Sequence, residues 1–526
     1  MTKKAYRGLF VCAVLGALLV RTVRLDLRPM HHDEANQALK FGDLLERGEY
    51  RYDPNDHHGP SLYYLSLPLA RVLAGRSLAA TSETMLRLVP ALFGTGLLLL
   101  FLLFAGGLSA EARISAAFLA AVSPVLTYYS RFYIQEILLV FFLAGLVAAG
   151  WKYLQTRSGW WAAAAGFAAG MMYATKETSV ILFGALTAAA VIDRLLRPKT
   201  MSARPWSRWA VLLHLVIFAA AALVPAWLLF TSFLKNPNGL ADSVRAFGTY
   251  FHRAGEPGIH TQPWWYYIRT LLYTRFGRGP VWSEAFIVAL AIAGSIFAFG
   301  SEPGKDGHPR LVRFLFFFTV LTGAAYAVIP YKTPWNVLPF YLGLVLLAGI
   351  GAGVLWRTGR FLIVKVIILV VMLPGILNLA RQEYRANFTD YANPTNPYVY
   401  AQTSLDFLKL IGAVEGIAAG HPEHERMLIK VVAPPDETWP LPWYLRRFAR
   451  VGYWTDVAQA GNLRDAPVII ASASFSEEAG RNLDGGYQSA FYGLRPEVVL
   501  SLYARQDLWD GYVRGQTRNR RSRPEP

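Results

Sequence analysis

Up to about residue 380 the chain alternates apolar runs with short basic loops, and no other feature restricts its fold as strongly. Inside a bilayer every peptide N–H and C=O must be satisfied within the protein, so runs of this length are read as helices. A content of 54% hydrophobic and 14% aromatic residues exceeds what one soluble core requires. The expected spans are eleven: 8–25, 87–106, 113–128, 137–151, 159–175, 178–193, 209–231, 283–300, 312–330, 337–355 and 361–379. The apolar stretch 61–75 is left out, because it is short and holds Pro68 and Arg71, which suits an interfacial helix.

Charge supports that choice. With the N-terminus inside, the inner loops hold Arg113, Lys152, Arg157, the cluster Arg194, Arg197, Lys199, Arg204 and Arg208, then Lys305, Arg310, Arg313, Arg357 and Arg360. Counting 61–75 as a crossing would turn the cluster at 193–208 to the outer face. A net charge of +17 is thereby assigned to loops facing anionic lipid rather than to nucleic-acid binding. The segment Thr2-Lys3-Lys4-Ala5-Tyr6-Arg7 before the first run reads as part of an uncleaved signal anchor, since no small-residue cleavage site follows it. Arg21 is expected at the membrane's edge, snorkelling or facing a polar cavity. Cys12 is the only cysteine, so no intrachain disulfide forms.

This topology gathers the polar clusters on the outer face. Between the first two spans lies His31-His32-Asp33-Glu34-Ala35, where two imidazoles and two carboxylates are costly at a membrane surface unless they bind something. A helix on the membrane surface is expected over 34–45, from Ala35, Ala38, Phe41 and Leu45, followed by the turn-rich stretch through Asp56, His57, His58, Gly59 and Pro60. Arg131 and Glu136 follow: on a helix Phe132 and Glu136, four apart, share a face with Arg131 nearby, so that a cation and an acid point into one cleft, or else the two charges sit at a helix end, solvated or paired for structure. Lys176-Glu177 interrupts an apolar stretch and is either an exposed loop or a phosphate contact. The loop 234–281 carries Trp264-Trp265-Tyr266-Tyr267, an interfacial belt or a sugar-stacking row. Lys332 and Trp335 lie in the turn 331–336, suited to capping a helix or to meeting a lipid phosphate.

The domain division expected is a transmembrane part, 1–380, with a first outer loop at 26–86, then a soluble α/β domain at 381–513 and a basic disordered tail at 514–526. Strands are expected at 428–433, 468–472 and 498–503, and a helix at 403–418.

Taken together, Arg21, the pair Asp33-Glu34, Gly59-Pro60 leading into Leu62-Tyr63-Tyr64, then Arg131, Glu136 and Lys176 resemble the polytopic GT-C glycosyltransferases. Within these the chain is similar to the family-39 group of protein mannosyltransferases and lipid A aminoarabinose transferases. His31-His32-Asp33-Glu34-Ala35 and Trp439-Pro440-Leu441-Pro442-Trp443-Tyr444 look typical of the branch labelled flippase-activity-associated. One departure is His58-Gly59-Pro60, where relatives have Lys-Pro-Pro in the first loop.

The resemblance implies an integral membrane enzyme that moves a sugar, with inversion, from a polyprenyl-phosphate-linked donor to a glycan, lipid or protein acceptor outside the membrane. It makes Asp33 the base for the acceptor hydroxyl, with Glu34 and Glu136 orienting the acceptor or tuning that base. Arg131 and Lys176 would hold the leaving phosphate, with His57, His58, Lys332 and Trp335 as further donor-binding candidates. No cofactor is required. A divalent metal is a remaining alternative, through His31, His32 and His58 with the nearby carboxylates, although neighbours on one backbone close poorly around one ion. Two other functions compete. A transporter would line a path through the bilayer midplane, against which the crowding of polar groups on one face counts. A non-catalytic assembly or flippase-associated protein of a surface-glycan pathway would bind partners through the C-terminal domain.

Overall fold

The structure is a computed structural model and describes residues 2–55, 58–196, 207–255, 260–300, 308–359, 361–483 and 485–521. In chain order its helices are α1 (Lys3–Thr22), α2 (His32–Arg47), α3 (Ser61–Leu73), α4 (Glu83–Leu100), α5 (Ala110–Ala121), α6 (Pro124–Ser130), α7 (Glu136–Thr156), α8 (Gly159–Tyr173), α9 (Ser179–Leu195) and α10 (Arg208–Phe230). There follow α11 (Gly239–Gly255), α12 (Tyr266–Leu272), α13 (Ala285–Gly300), α14 (Pro309–Val328), α15 (Leu338–Thr358), α16 (Leu362–Tyr384) and α17 (Leu405–Gly420). Strands β1 (Ile429–Val432), β2 (Val451–Trp454), β3 (Val468–Ser472), β4 (Tyr487–Arg495) and β5 (Val498–Arg505) are interleaved with α18 (Pro435–Thr438), α19 (Leu441–Tyr444) and α20 (Ala473–Asn482), and α21 (Gln506–Arg521) comes last.

The chain divides into two compact units. A membrane unit comprises Met1–Leu25, Arg47–Leu73 and Ser82–Tyr400, and a C-terminal unit comprises Asp26–Glu46, Ala74–Thr81 and Ala401–Pro526. This differs from the expected boundary at 380/381, and the reason is hydrogen bonding. Gln402 Nε2 donates to the Pro29 carbonyl at 2.8 Å, Thr403 Oγ1 to the Met30 carbonyl at 2.7 Å, and Arg446 Nη2 to the Thr81 carbonyl at 2.7 Å. Parts of the first loop therefore belong with the C-terminal segments. The helix α21 also carries regular structure to Arg521, into the stretch expected to be disordered from 514.

In the membrane unit each expected span overlaps a helix. Among the described residues seven helices are long and apolar enough to cross a bilayer, the bent pair α5 and α6 passes the same test only when its two helices are taken together, as a broken span or a re-entrant loop, and the apolar helix at 285–296 is shorter. Serines start several of them: Ser82, Ser109 and Ser123 each accept from the backbone N–H three residues on. The helix α15 is buried over nearly its whole length, whereas α10 and α16 expose most of theirs. Close packing of α8 on α10 depends on small residues, since a Cβ at Gly166 or Gly170 would lie about 2.2 or 2.1 Å from the carbonyl oxygens of Phe218 and Ala222.

The 62° bend between α5 and α6 has a chemical cause. Pro124 has no N–H to give the Ala120 carbonyl, and Arg21 supplies it instead, Nη2 to oxygen at 2.9 Å. Arg21 is thus buried and bonded to protein rather than snorkelling.

The C-terminal unit holds a five-stranded sheet in the order β2-β1-β3-β5-β4, with β1 parallel to β2 and β3, and β5 antiparallel to β3 and β4. The central strands β1 and β3 are buried throughout, and their apolar residues alternate between two cores. Ile429, Val431, Val468 and Ile470 pack with α17, while Val432, Ile469 and Ala471 pack with Ala479 of α20. The helix α2 also belongs to this unit, and Ala35, Ala38 and Phe41 on its apolar face are fully buried. That face is therefore packed in protein rather than offered to lipid.

Candidate functional site

In the C-terminal unit the first-loop motif forms the start of α2. His31 precedes the helix, and its Nδ1 accepts from the Asp33 N–H at 3.0 Å, which places its ring proton on Nε2. Glu34 reaches back to accept from the His31 N–H at 3.1 Å, so the helix start is capped from both sides, with a histidine in the usual serine position serving the Asp33 N–H. The Glu34 side chain is fully buried, with Arg28 Nη2 3.9 Å from its other oxygen. Asp33 is different: its carboxylate is 42% exposed, with one oxygen 3.8 Å from His31 Nδ1. Two adjacent acids thus have separate roles, one building the helix start and one open to solvent.

The second motif of the resemblance meets the first. Trp439 stacks on His32 with ring centroids 5.6 Å apart, and Tyr444 Oη accepts from the Met30 N–H at 2.9 Å. Arg446 lies over the Trp443 ring at 3.6 Å while its Nη1 donates to the Trp443 carbonyl. The aromatic stretch 439–446 thus packs against the loop that carries Asp33.

In the membrane unit, Lys176 is buried and ion-paired through Nζ to Glu136 Oε1, and Glu136 Oε2 has no hydrogen-bond partner among the described residues. Beside it in sequence, Glu177 is the centre of a network the sequence did not reveal. Tyr52 Oη donates to Glu177 Oε1 at 3.1 Å, and His58 Nδ1 lies 2.9 Å from Glu177 Oε2 and 3.1 Å from Tyr250 Oη. Burial, and then the Glu177 charge, hold the Tyr52 phenol well above its usual range, so it stays a donor. Gly59 lets this loop reach the turn after α8, because a Cβ there would lie 2.3 Å from the Ala174 carbonyl oxygen. The sequence signal for the network was the charge of Glu177 in an apolar stretch.

The single helix expected to carry Phe132 and Glu136 on one face, with Arg131 nearby, does not form. The chain breaks between α6 and α7, leaving Arg131 at the end of one and Glu136 at the start of the other. Arg131 donates to the carbonyls of Val20, Val23 and Arg24 at 2.6, 2.8 and 2.9 Å, closing the C-terminal end of α1. Lys332 is likewise occupied: its Nζ donates to the Gln262 carbonyl at 3.2 Å and to that of Ile329, and burial lowers its pKa. Trp335 packs edge-on against Tyr129 and Tyr400. His57 and Asp56 lie outside the described residues. Of the metal candidates, His31 caps a helix, His32 stacks on Trp439 and His58 bonds Glu177, and among the described residues no three His, Cys, Asp or Glu side chains gather as a metal-binding group.

Residues 72–227 match the family model described as dolichyl-phosphate-mannose-protein mannosyltransferase. The crystal structure of ArnT from Cupriavidus metallidurans bound to undecaprenyl phosphate is similar to this chain at a TM-score of 0.59 and 15% identity, covering 95% of this chain and 98% of that one. The chain has a GT-C glycosyltransferase fold. A second GT-C structure, the oligosaccharyltransferase of Archaeoglobus fulgidus in its apo form, aligns with a TM-score of 0.55 and 12% identity over 97% of this chain and 77% of that one. Sequence comparison with curated proteins gives no match. The GT-C resemblance drawn from Asp33, Arg131 and Lys176 therefore agrees with the fold, whereas nothing in these comparisons bears on the flippase-associated branch.

Proposed function

We propose that this chain is a membrane glycosyltransferase that moves a sugar from a polyprenyl-phosphate-linked donor to a glycan, lipid or protein acceptor at the outer face of the membrane. The observation that carries this reading is the agreement in fold, along nearly all of both chains, with an ArnT whose structure holds undecaprenyl phosphate. In the proposed reaction Asp33 takes the proton of the acceptor hydroxyl. The freed oxygen attacks the anomeric carbon, the bond from that carbon to the phosphate oxygen breaks, and its electron pair leaves with the phosphate, inverting the carbon. Asp33 suits the role because its carboxylate is open while its backbone is fixed by the His31 and Glu34 cap.

Lys176 is the proposed cation for the departing phosphate, which would take over the ammonium from Glu136. Arg131 is given a structural role instead, since three carbonyls already take its donors. The distribution of basic loops supports an inside N-terminus and an outside C-terminal unit. The test is Asp33→Asn in the full-length protein, read by mass spectrometry of surface glycans, lipids and proteins. Transfer is expected to fall by about 100-fold or more at unchanged abundance. Unaltered glycans would overturn the enzymatic reading in favour of a non-catalytic assembly protein.

A further inference from the structure

Where α16 leaves its apolar stretch, the membrane unit has a cavity of about 290 Å³ lined by Pro280, Val281, Trp282, Asn378, Arg381, Gln382 and Arg385. We infer that this cavity binds the phosphate head group of an anionic membrane phospholipid. The helix supplies the argument for a lipid. Leu369, Val370, Val371, Leu373 and Leu377 each expose about half or more of their surface, so this face of α16 meets hydrocarbon. One turn further on the exposed residues change to Asn378, Arg381 and Tyr384, the sequence of chemistry expected on passing from acyl chains to head groups. The cavity opens at that level.

The donors supply the argument for a phosphate. Trp282 lines the cavity with its ring and is otherwise buried. Arg385 holds its guanidinium 5.8 Å from the Trp282 ring centre and is fixed there by Asp390, with Nη2 to Oδ2 at 2.8 Å. Gln382 lines the cavity but spends its amide on Ser283, accepting from the N–H at 2.7 Å and donating to the carbonyl at 3.1 Å. Asp390 offsets one of the two arginines, so the lining carries a net positive charge through the exposed Arg381. An acceptor-rich anion fits this set, and an ammonium-bearing zwitterionic head group fits it less well.

The test uses the full-length protein in nanodiscs and native mass spectrometry of retained lipid, with phosphatidylglycerol, phosphatidylcholine, undecaprenyl phosphate and free inorganic phosphate as separate probes. Phosphatidylglycerol is expected to be retained in preference to phosphatidylcholine, and Arg381→Glu to lower that retention roughly tenfold. Asp33→Asn is expected to leave it unchanged, which separates this site from the proposed reaction. Equal retention of the zwitterionic lipid, displacement by inorganic phosphate at comparable concentration, retention of undecaprenyl phosphate alone, or an Arg381→Glu protein that binds as before would each overturn the assignment.

Discussion

At the scale of single residues, Asp33 and Glu34 show how neighbours of the same charge separate in function. Glu34 accepts from a buried N–H, so Glu34→Ala leaves that donor unsatisfied and is expected to lower stability by about 1–3 kcal/mol, seen as a lower unfolding temperature in detergent. Asp33→Asn should leave that temperature nearly unchanged, because the change is isosteric and the side chain is partly exposed. Lys176 invites a sharper test. Removing it strands Glu136 in a buried position, and Lys176→Ala should cost about 3–5 kcal/mol. The double variant Lys176→Met with Glu136→Leu removes both charges and is expected to regain abundance; if the lysine also meets the leaving phosphate, transfer stays lost in the refolded double variant. Recovery of transfer with the fold would show the pair to be structural only.

At the scale of elements, the helices were legible because a long apolar run has few ways to satisfy its backbone. Strands β1, β3 and β5 were legible for a related reason, as each is a short, mostly apolar run rich in Val, Ile and Leu and buried over most of its length. Strands β2 and β4 were missed: β2 is four residues long and includes Gly452, and β4 mixes Gln488, Ser489 and Gly493 into a partly exposed face. The sequence left Arg131 and Lys332 each with a structural and a ligand-binding reading, since it cannot show which carbonyls a helix end or a turn leaves for them to serve. Two element-scale predictions follow from contacts instead. Gly170→Leu should force α8 away from α10 and lower the unfolding temperature, at a cost of roughly 1–3 kcal/mol, more than Gly184→Leu, whose Cβ meets nothing. In the C-terminal unit Asp406 accepts from the Gly493 N–H at 2.8 Å and pairs with Lys409, and these, in that order, hold its carboxyl below the usual range. Its folded pKa is the lower one, so its contribution is complete above about pH 4 and fades as pH falls through the folded value. An Asp406→Asn protein should therefore lose less stability on acidification than the parent, measured as unfolding temperature against pH.

At the scale of the whole molecule, the proposed reaction depends on which side of the bilayer each part occupies, and that rests on the number of crossings. Eleven spans with the N-terminus inside put residue 194 inside and residue 409 outside. The weak points are the short helices, for at about 1.5 Å per residue the fifteen residues of α8, sixteen of α13 and seventeen of α9 fall below a hydrocarbon core of ~30 Å unless their flanking residues complete the crossing. In a Cys12→Ser background, Lys409→Cys and Arg194→Cys place a thiol on exposed positions of α17 and α9. A membrane-impermeant maleimide added to intact cells is expected to label the first protein, and to label the second only after the membrane is opened. If Arg194→Cys reacts in intact cells, the count fails before α10, with α8, α9 and the bent pair α5 and α6 as the segments in question. If Arg194→Cys is protected and Lys409→Cys is protected too, the failure lies after α9, with α13 the first suspect, and the C-terminal unit with Asp33 would sit in the cytoplasm, away from a donor presented outside.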